Sequence, residues 1–263
     1  MTTNRLRQLI AEGGRAIGGW CTTPSALNAE TLGRLGYDYV CVDCQHGLIG
    51  YDAMWPLLSA ISGTGATPIV RVPFNHTPWM GRALDAGAEA VVVPMVNSRE
   101  DAERAAAACR YAPEGVRSFG PVRAGLHLND GATPAEVNRQ VMCLVMIETV
   151  QAVEAAEEIC ATPGVDGVYV GPADLAISMG VQFGHEPLPA AHAEAIDHVA
   201  TVCAANGIVA GIHTGGGSDA RAALERGFQM ATVGTDAGIF RRAAATELAA
   251  ARGDDADGPA GIY

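Results

Sequence analysis

Eight short apolar runs, most of them followed by a stretch with helix-capping residues, constrain this chain more than any other feature. The runs span 16–22, 37–43, 67–72, 90–95, 141–148, 164–171, 207–212 and 229–234. They are apolar at successive positions, so they read as strands buried on both faces, as in a parallel sheet. Parallel neighbours need a crossover, and the intervening helical stretches supply it. Eight such units close into an α/β (β/α)8 TIM barrel more readily than they stack into an open sheet. No linker divides the chain, so residues 1–252 read as one domain, followed by an acidic, glycine-containing tail at 253–263 that reads as disordered.

Local signals place the helix ends. Thr23-Pro24 is expected to open the first crossover helix and Gly36 to close it. Thr77-Pro78 opens another, Ser98 to Asp101 has the spacing of a capping box, and Ser218 caps a helix that Gly227 ends. The rhythm breaks once, between the fourth and fifth strands, where a long segment rich in Gly, Pro and Arg reads as an irregular functional or interface loop.

Composition narrows the chemistry. The 17 basic residues are all Arg, so the chain contains no lysine. A Schiff-base aldolase, a pyridoxal phosphate (PLP) enzyme and a P-loop nucleotidase each depend on a lysine, and all three are excluded. A net charge of -12 argues against a nucleic-acid surface. No apolar run is long enough for a membrane span and the N-terminus lacks an apolar signal core, which together predict a cytoplasmic protein. The seven cysteines then read as reduced, buried thiols. Cys41 and Cys44 face opposite sides of a strand and form no zinc pair.

Polar residues interrupt the strands mainly at their C-terminal ends: Asp43 and His46, Arg71, Glu148, Asp174 and His213. That rim carries the active site in barrels of this kind. Any one of these residues could simply mark a strand end, and Asp174 could be a plain helix N-cap. An Arg inside the apolar run IVRVP requires an anionic partner, because an unpaired buried guanidinium costs several kcal/mol, roughly. Glu148 and Asp174 end successive strands, and two hard oxygen donors suit a divalent ion that keeps water or substrate in its other positions. His46 is the best general base, with Asp43 as its orienting partner. The triglycine loop after His213 could cradle a phosphate, although flexibility before a helix explains it equally. His76, His127, His185, His192 and His198 show no metal-ligand spacing.

The segments GGWCTTPSALNAETLGRLGYDYVCVDCQHG, TPIVRVP, VVVPMV, VMIETVQAVEAAEEICATPGVDGVYVGPADLA and GFQMATVGTD resemble the HpcH/HpaI family of metal-dependent pyruvate aldolases, over about residues 15–242. The resemblance implies a barrel that assembles as a homohexamer, a trimer of dimers with exchanged C-terminal helices. It implies cleavage of a 4-hydroxy-2-oxoacid to pyruvate and an aldehyde through a stabilised enolate. Glu148 and Asp174 become ligands of Mg2+, Mn2+ or possibly Co2+, and His46 with Asp43 becomes the acid/base group. Arg71 becomes the residue that stabilises the keto oxygen, and Gly171, Pro172, Ala173 and Asp174 hold the pyruvate carboxylate. Trp20 and Ile212 shape the aldehyde side, and Asp85 matches a further polar position. Gln45 stands where many members have Glu, and Met146 where a Gln often precedes the metal Glu. An acyl-CoA lyase on a related barrel and a barrel without catalysis are the alternatives. Replacing Arg71 or His46 by Ala is expected to cut cleavage severely with the fold intact.

Overall fold

The computed structural model describes residues 4–127, 131–181 and 188–253. Eight strands run β1 (Ala16–Cys21), β2 (Tyr39–Asp43), β3 (Thr67–Arg71), β4 (Ala90–Val93), β5 (Met142–Ile147), β6 (Gly167–Val170), β7 (Val209–Ile212) and β8 (Met230–Thr235). All pair in parallel, in sequence order, and β8 returns to β1 to close the barrel. The expected fold is therefore the observed one.

The helices are α1 (Arg5–Ala11), α2 (Ala26–Arg34), α3 (Tyr51–Ser62), α4 (Thr77–Asp85), α5 (Arg99–Ala108), α6 (Ala124–His127), α7 (Pro134–Gln140), α8 (Val150–Glu154), α9 (Ala156–Cys160), α10 (Pro172–Ser178), α11 (Ala190–Asn206), α12 (Gly217–Glu225) and α13 (Asp236–Arg252). α1 has no counterpart in the strand–helix rhythm. Asn4 caps it by accepting from the Arg7 N–H and ties it to the barrel through the carbonyls of Glu89 and Gln140. Its Leu6 is buried with the side chains of the barrel interior, so α1 stoppers the N-terminal end.

Alternation along each strand divides the core in two. Tyr39, Cys41, Leu144, Met146, Tyr169 and Met230 fill the barrel, while Val40, Val42, Cys143, Val145 and Ile147 pack against the helices. Tyr39 and Tyr169 meet hydroxyl to hydroxyl at 2.8 Å, and both reach Thr232, so the polar tips deep in the interior satisfy one another. Gly18 makes room for them, because a Cβ there would lie 1.9 Å from the Tyr39 ring. All seven cysteines are free and buried.

Three local expectations need correction. Ser25, and not Thr23, caps α2, since its hydroxyl accepts from the Asn28 N–H while the Thr23 hydroxyl is drawn to Asp236. Ser218 lies inside α12, whose N-cap is Gly216, so glycine supplies the extended backbone there without a capping side chain. The segment between β4 and β5 is less irregular than expected. It contains α6 and α7, and Thr133 and Glu136 form a reciprocal capping box that starts α7. Of the tail expected to be disordered at 253–263, Gly253 is instead the left-handed C-cap of α13, and the remainder, like His185, lies outside the described residues.

Candidate active site

The C-terminal rim of the barrel gathers most of the polar residues expected there. Asp43 and Arg71 are register partners on β2 and β3, and both point inward. The guanidinium meets the carboxylate through two bonds, Nε to Oδ1 at 2.9 Å and Nη2 to Oδ2 at 2.5 Å. This fork satisfies the buried Arg, as a cation in an apolar strand requires. Burial works to raise the Asp43 pKa, but the Arg71 bonds and charge outweigh it and hold the carboxyl below its ordinary value. Nη1 of Arg71 makes no hydrogen bond among the described residues and remains available at the rim.

The expected pairing of Asp43 with the His46 imidazole is not observed. Asp43 accepts instead from the backbone N–H groups of Gln45 (3.0 Å) and His46 (3.3 Å), so it shapes the turn after β2 and leaves the exposed His46 ring to the solvent side. The carboxylate is engaged by the Arg71 fork and by two backbone amides of the turn, and not by the imidazole. Nor is Arg71→Ala fold-neutral, because it would strand Asp43 in the interior. Gln45 sits at the same turn, with its amide oxygen buried and unpartnered.

Across the rim, Glu148 follows β5. One carboxylate oxygen, Oε1, accepts from the Met95 N–H at 2.8 Å. The other, Oε2, is buried and has no hydrogen-bond partner. It faces Gly171, where a Cβ would lie 2.5 Å from it, so only glycine leaves this oxygen its space. Burial pushes the Glu148 carboxyl up to about 7; the Met95 bond opposes this and the nearby charge of Asp174 adds to it. Asp174 lies in the first turn of α10 and is not its N-cap, which is Gly171. Two carboxylates drawn together, one with an orphaned oxygen, suit a cation between them. No group of three or more His, Cys, Asp or Glu side chains gathers among the described residues, so an ion held here would complete its shell from water and substrate.

Sequence reasoning missed what aims Glu148. Met95 is the one non-glycine residue among those described with a positive φ, 55°, and this left-handed turn directs its N–H at the carboxylate. Its side chain takes no part, so residue type gave no signal. Asp236, at the start of α13, was missed as well. It accepts from the Thr22 N–H (2.8 Å), the Thr22 and Thr23 hydroxyls and the Asn28 amide, anchoring the turn after β1.

The remaining expected residues divide. Trp20 is buried at the mouth, with the Arg71 guanidinium 5.1 Å from its ring centre and its indole N–H turned toward Asp43 without a well-formed hydrogen bond. Pro172 and Ala173 open α10 at the rim. Ile212 packs in the layer between barrel and helices, where strand alternation puts it beside Ala210, so its side chain is not in the barrel interior. Asp85 ends α4 at the opposite end of the barrel and pairs there with Arg117 at 2.7 Å, so within one chain it does not reach this rim. His192 is buried on α11 and contacts the Pro172 carbonyl through Nε2 at 2.8 Å, which supports α10 from behind.

A lysine-free barrel rim with a paired Arg near two carboxylates can work on an oxyanion developing beside a carbonyl without a Schiff base. Comparison with known proteins gives the particular family: the model described as HpcH/HpaI aldolase/citrate lyase matches residues 17–243, and the chain belongs to that family. It is 40% identical over 253 residues to a hydroxypyruvate/pyruvate aldolase of Rhizorhabdus wittichii, covering 95% of this chain and 99% of that protein. It is 36% identical over 241 residues to a 5-keto-4-deoxy-D-glucarate aldolase of Escherichia coli, covering 91% and 93%. Among solved structures, an HpcH/HpaI aldolase/citrate lyase family protein from Burkholderia cenocepacia superposes with a TM-score of 0.87 at 32% identity, covering 95% of this chain and all of that one. The citrate synthase SbnG superposes at 0.84 with 27% identity, covering 95% and 98%. The protein is thus a carbon–carbon lyase, an aldolase that performs retro-aldol cleavage of the pyruvate type.

Proposed function

We propose that Glu148 and Asp174 hold a divalent cation, Mg2+, Mn2+ or Co2+, and that the chain cleaves a 4-hydroxy-2-oxoacid to pyruvate and an aldehyde at this rim. The orphaned Oε2 of Glu148, buried beside Gly171 and within the field of Asp174, carries the reading. Such an ion supplies Lewis-acid polarisation of the ketoacid carbonyl.

The chain's own groups do the rest. The exposed His46 takes the proton from the C4 hydroxyl as C4 becomes the aldehyde carbonyl. The C3–C4 electron pair becomes the C2=C3 bond of the enolate, the carbonyl π pair moves onto the C2 oxygen, and return of the proton to C3 then gives pyruvate. Nη1 of Arg71 meets that oxygen as charge develops on it, held in place by the fork to Asp43. In the addition direction the same proton returns. The backbone from Gly171 to Asp174 holds the pyruvate carboxylate, and the Trp20 ring excludes water from the far side of the pocket.

Residues 1–252 act as one catalytic domain, in the cytoplasm, on small-molecule substrates without nucleic acid or membrane. Seven buried free thiols accord with a reducing compartment, and no helix among the described residues is long and apolar enough to cross a membrane. Exposed Phe240 and Leu248 on α13, with Phe119, Val122 and Leu126 between β4 and β5, support assembly into a homohexamer with neighbouring copies covering them.

The test compares chelator-stripped with metal-restored protein. Pyruvate should be released from a 4-hydroxy-2-oxoacid only after Mg2+, Mn2+ or Co2+ is restored, and Glu148→Gln should lose that dependence together with activity. Equal pyruvate release by stripped and restored enzyme would refute the assignment.

A further inference from the structure

Glu148 presents Oε2 to the rim while Oε1 is occupied by the Met95 N–H at 2.8 Å. That N–H points at Glu148 because Met95 holds a φ of 55°, a left-handed conformation that residues with a Cβ seldom adopt. The Met95 side chain is exposed at the rim, so its own packing does not keep the backbone there. A conformation of this kind persists only where neighbouring groups over-determine it. Asn97 supplies those groups.

The Asn97 side chain spans two loops. Its Nδ2 donates to the Met95 carbonyl at 3.2 Å, and its Oδ1 accepts from the Thr149 hydroxyl. A carbonyl can only accept, so the amide nitrogen faces Met95 and the amide oxygen is left for Thr149. Thr149 directly follows Glu148, and its hydroxyl oxygen accepts from the Ala152 N–H at 3.0 Å as the N-cap of α8. The Asn97 backbone is fixed in turn. Its N–H donates to Asp101 Oδ2 at 3.1 Å, and Ser98 caps α5 by accepting from the Asp101 N–H at 3.2 Å. One amide thus ties the loop after β4, which carries the Met95 N–H, to the loop after β5, which carries the carboxylate.

We propose that Asn97 is a positioning residue for the cation site: by clasping the Met95 carbonyl and the Thr149 hydroxyl it keeps the Met95 N–H on Glu148 Oε1, and so keeps Oε2 directed at the ion. If the Met95 peptide turns out of the left-handed region, its N–H leaves Oε1, and the carboxylate is free to rotate away from the space beside Gly171. Groups that orient a metal ligand in this way commonly change metal affinity about 10–100-fold when removed. The role is exercised through Glu148, so Asn97 itself needs no contact with ion or substrate. This inference rests on the cation reading above, so the two must be able to fail apart.

Mn2+ binding to the metal-stripped full-length protein is followed by electron paramagnetic resonance of the free ion. Hydrogen exchange of the backbone around Met95 is followed by mass spectrometry on the metal-free protein. Asn97→Ala should weaken Mn2+ binding about tenfold or more and speed exchange of the peptide that holds the Met95 N–H, with the circular dichroism spectrum unchanged. Thr149→Val removes the hydroxyl and should do the same, and adding Asn97→Ala to it should cost little more, because both act through one link. Thr149→Ser keeps the hydroxyl and should bind Mn2+ as the wild type does. Wild-type Mn2+ affinity or wild-type exchange at Met95 in Asn97→Ala overturns the proposal, and so do fully additive losses in the double variant. Should Asn97→Ala fail to fold, the two Thr149 variants decide the same point, and equal affinities between them overturn the role. Failure of the wild type to bind Mn2+ overturns the cation reading and takes this role with it, an outcome distinct from all of these.

Discussion

A single carboxyl group, Glu148, concentrates the chemistry of this chain. Its pKa near 7 means that, without a cation, the folded protein holds it protonated in a range where the unfolded chain would ionise it. Since the folded pKa lies above the unfolded value, the folded state binds the extra proton between about 4.5 and 7, and stability falls as pH rises through that window. Ionising the buried group costs on the order of 3 kcal/mol. In chelator, Glu148→Gln should therefore raise the melting temperature of the metal-free protein at pH 8 and leave it unchanged near pH 4. Equal melting of variant and wild type at pH 8 would show that the carboxylate is not desolvated as described. Glutamine retains an oxygen for the Met95 N–H, so the comparison isolates the charge. The rim also shows what residue types reveal. Arg71 in an apolar strand announced a buried anionic partner, and Asp43 is that partner. Met95 announced nothing, because its part is played by a backbone N–H in an unusual conformation.

Among the elements, the eight strands were legible because burial on both faces writes itself as continuous apolar sequence. Their ends were less so, since caps compete: Thr23 and Ser25 are equally good capping residues, and only the proximity of Asp236 draws Thr23 away. α1 was unreadable for a different reason. It is short, partly exposed and outside the repeat, and its purpose appears only once the barrel has an open end to close. Leu6 is the side chain that closes it. Leu6→Ala should destabilise the protein by about 2–5 kcal/mol through transfer loss and an unfilled cavity. Turnover per folded molecule should persist, because the site lies at the other end. A shift in the denaturant midpoint with constant specific activity is the expected result, and specific activity falling in step with the midpoint would contradict it.

At the scale of the whole molecule, the proposed assembly has two groups of exposed apolar side chains to cover. Phe240 and Leu248 on α13 and Phe119, Val122 and Leu126 beyond α5 expose large apolar side chains that a solitary domain ordinarily hides. Light scattering should give six times the chain mass, and Phe240→Asp should lower that mass while leaving the far-UV circular dichroism unchanged. A wild-type mass equal to one chain would exclude the assembly. Sequence by itself determined the barrel, the absence of lysine chemistry and the set of polar residues at the strand ends, because strand period and burial are local and survive in the order of residues. Only the tertiary structure decided which of those residues meet. Asp43 turned to Arg71 and away from His46, Asp85 went to the opposite end, and Ile212 faced the helices. Closure of the barrel fixes strand register and side-chain direction together, and those contacts, made between residues distant in the chain, leave no mark on the local pattern.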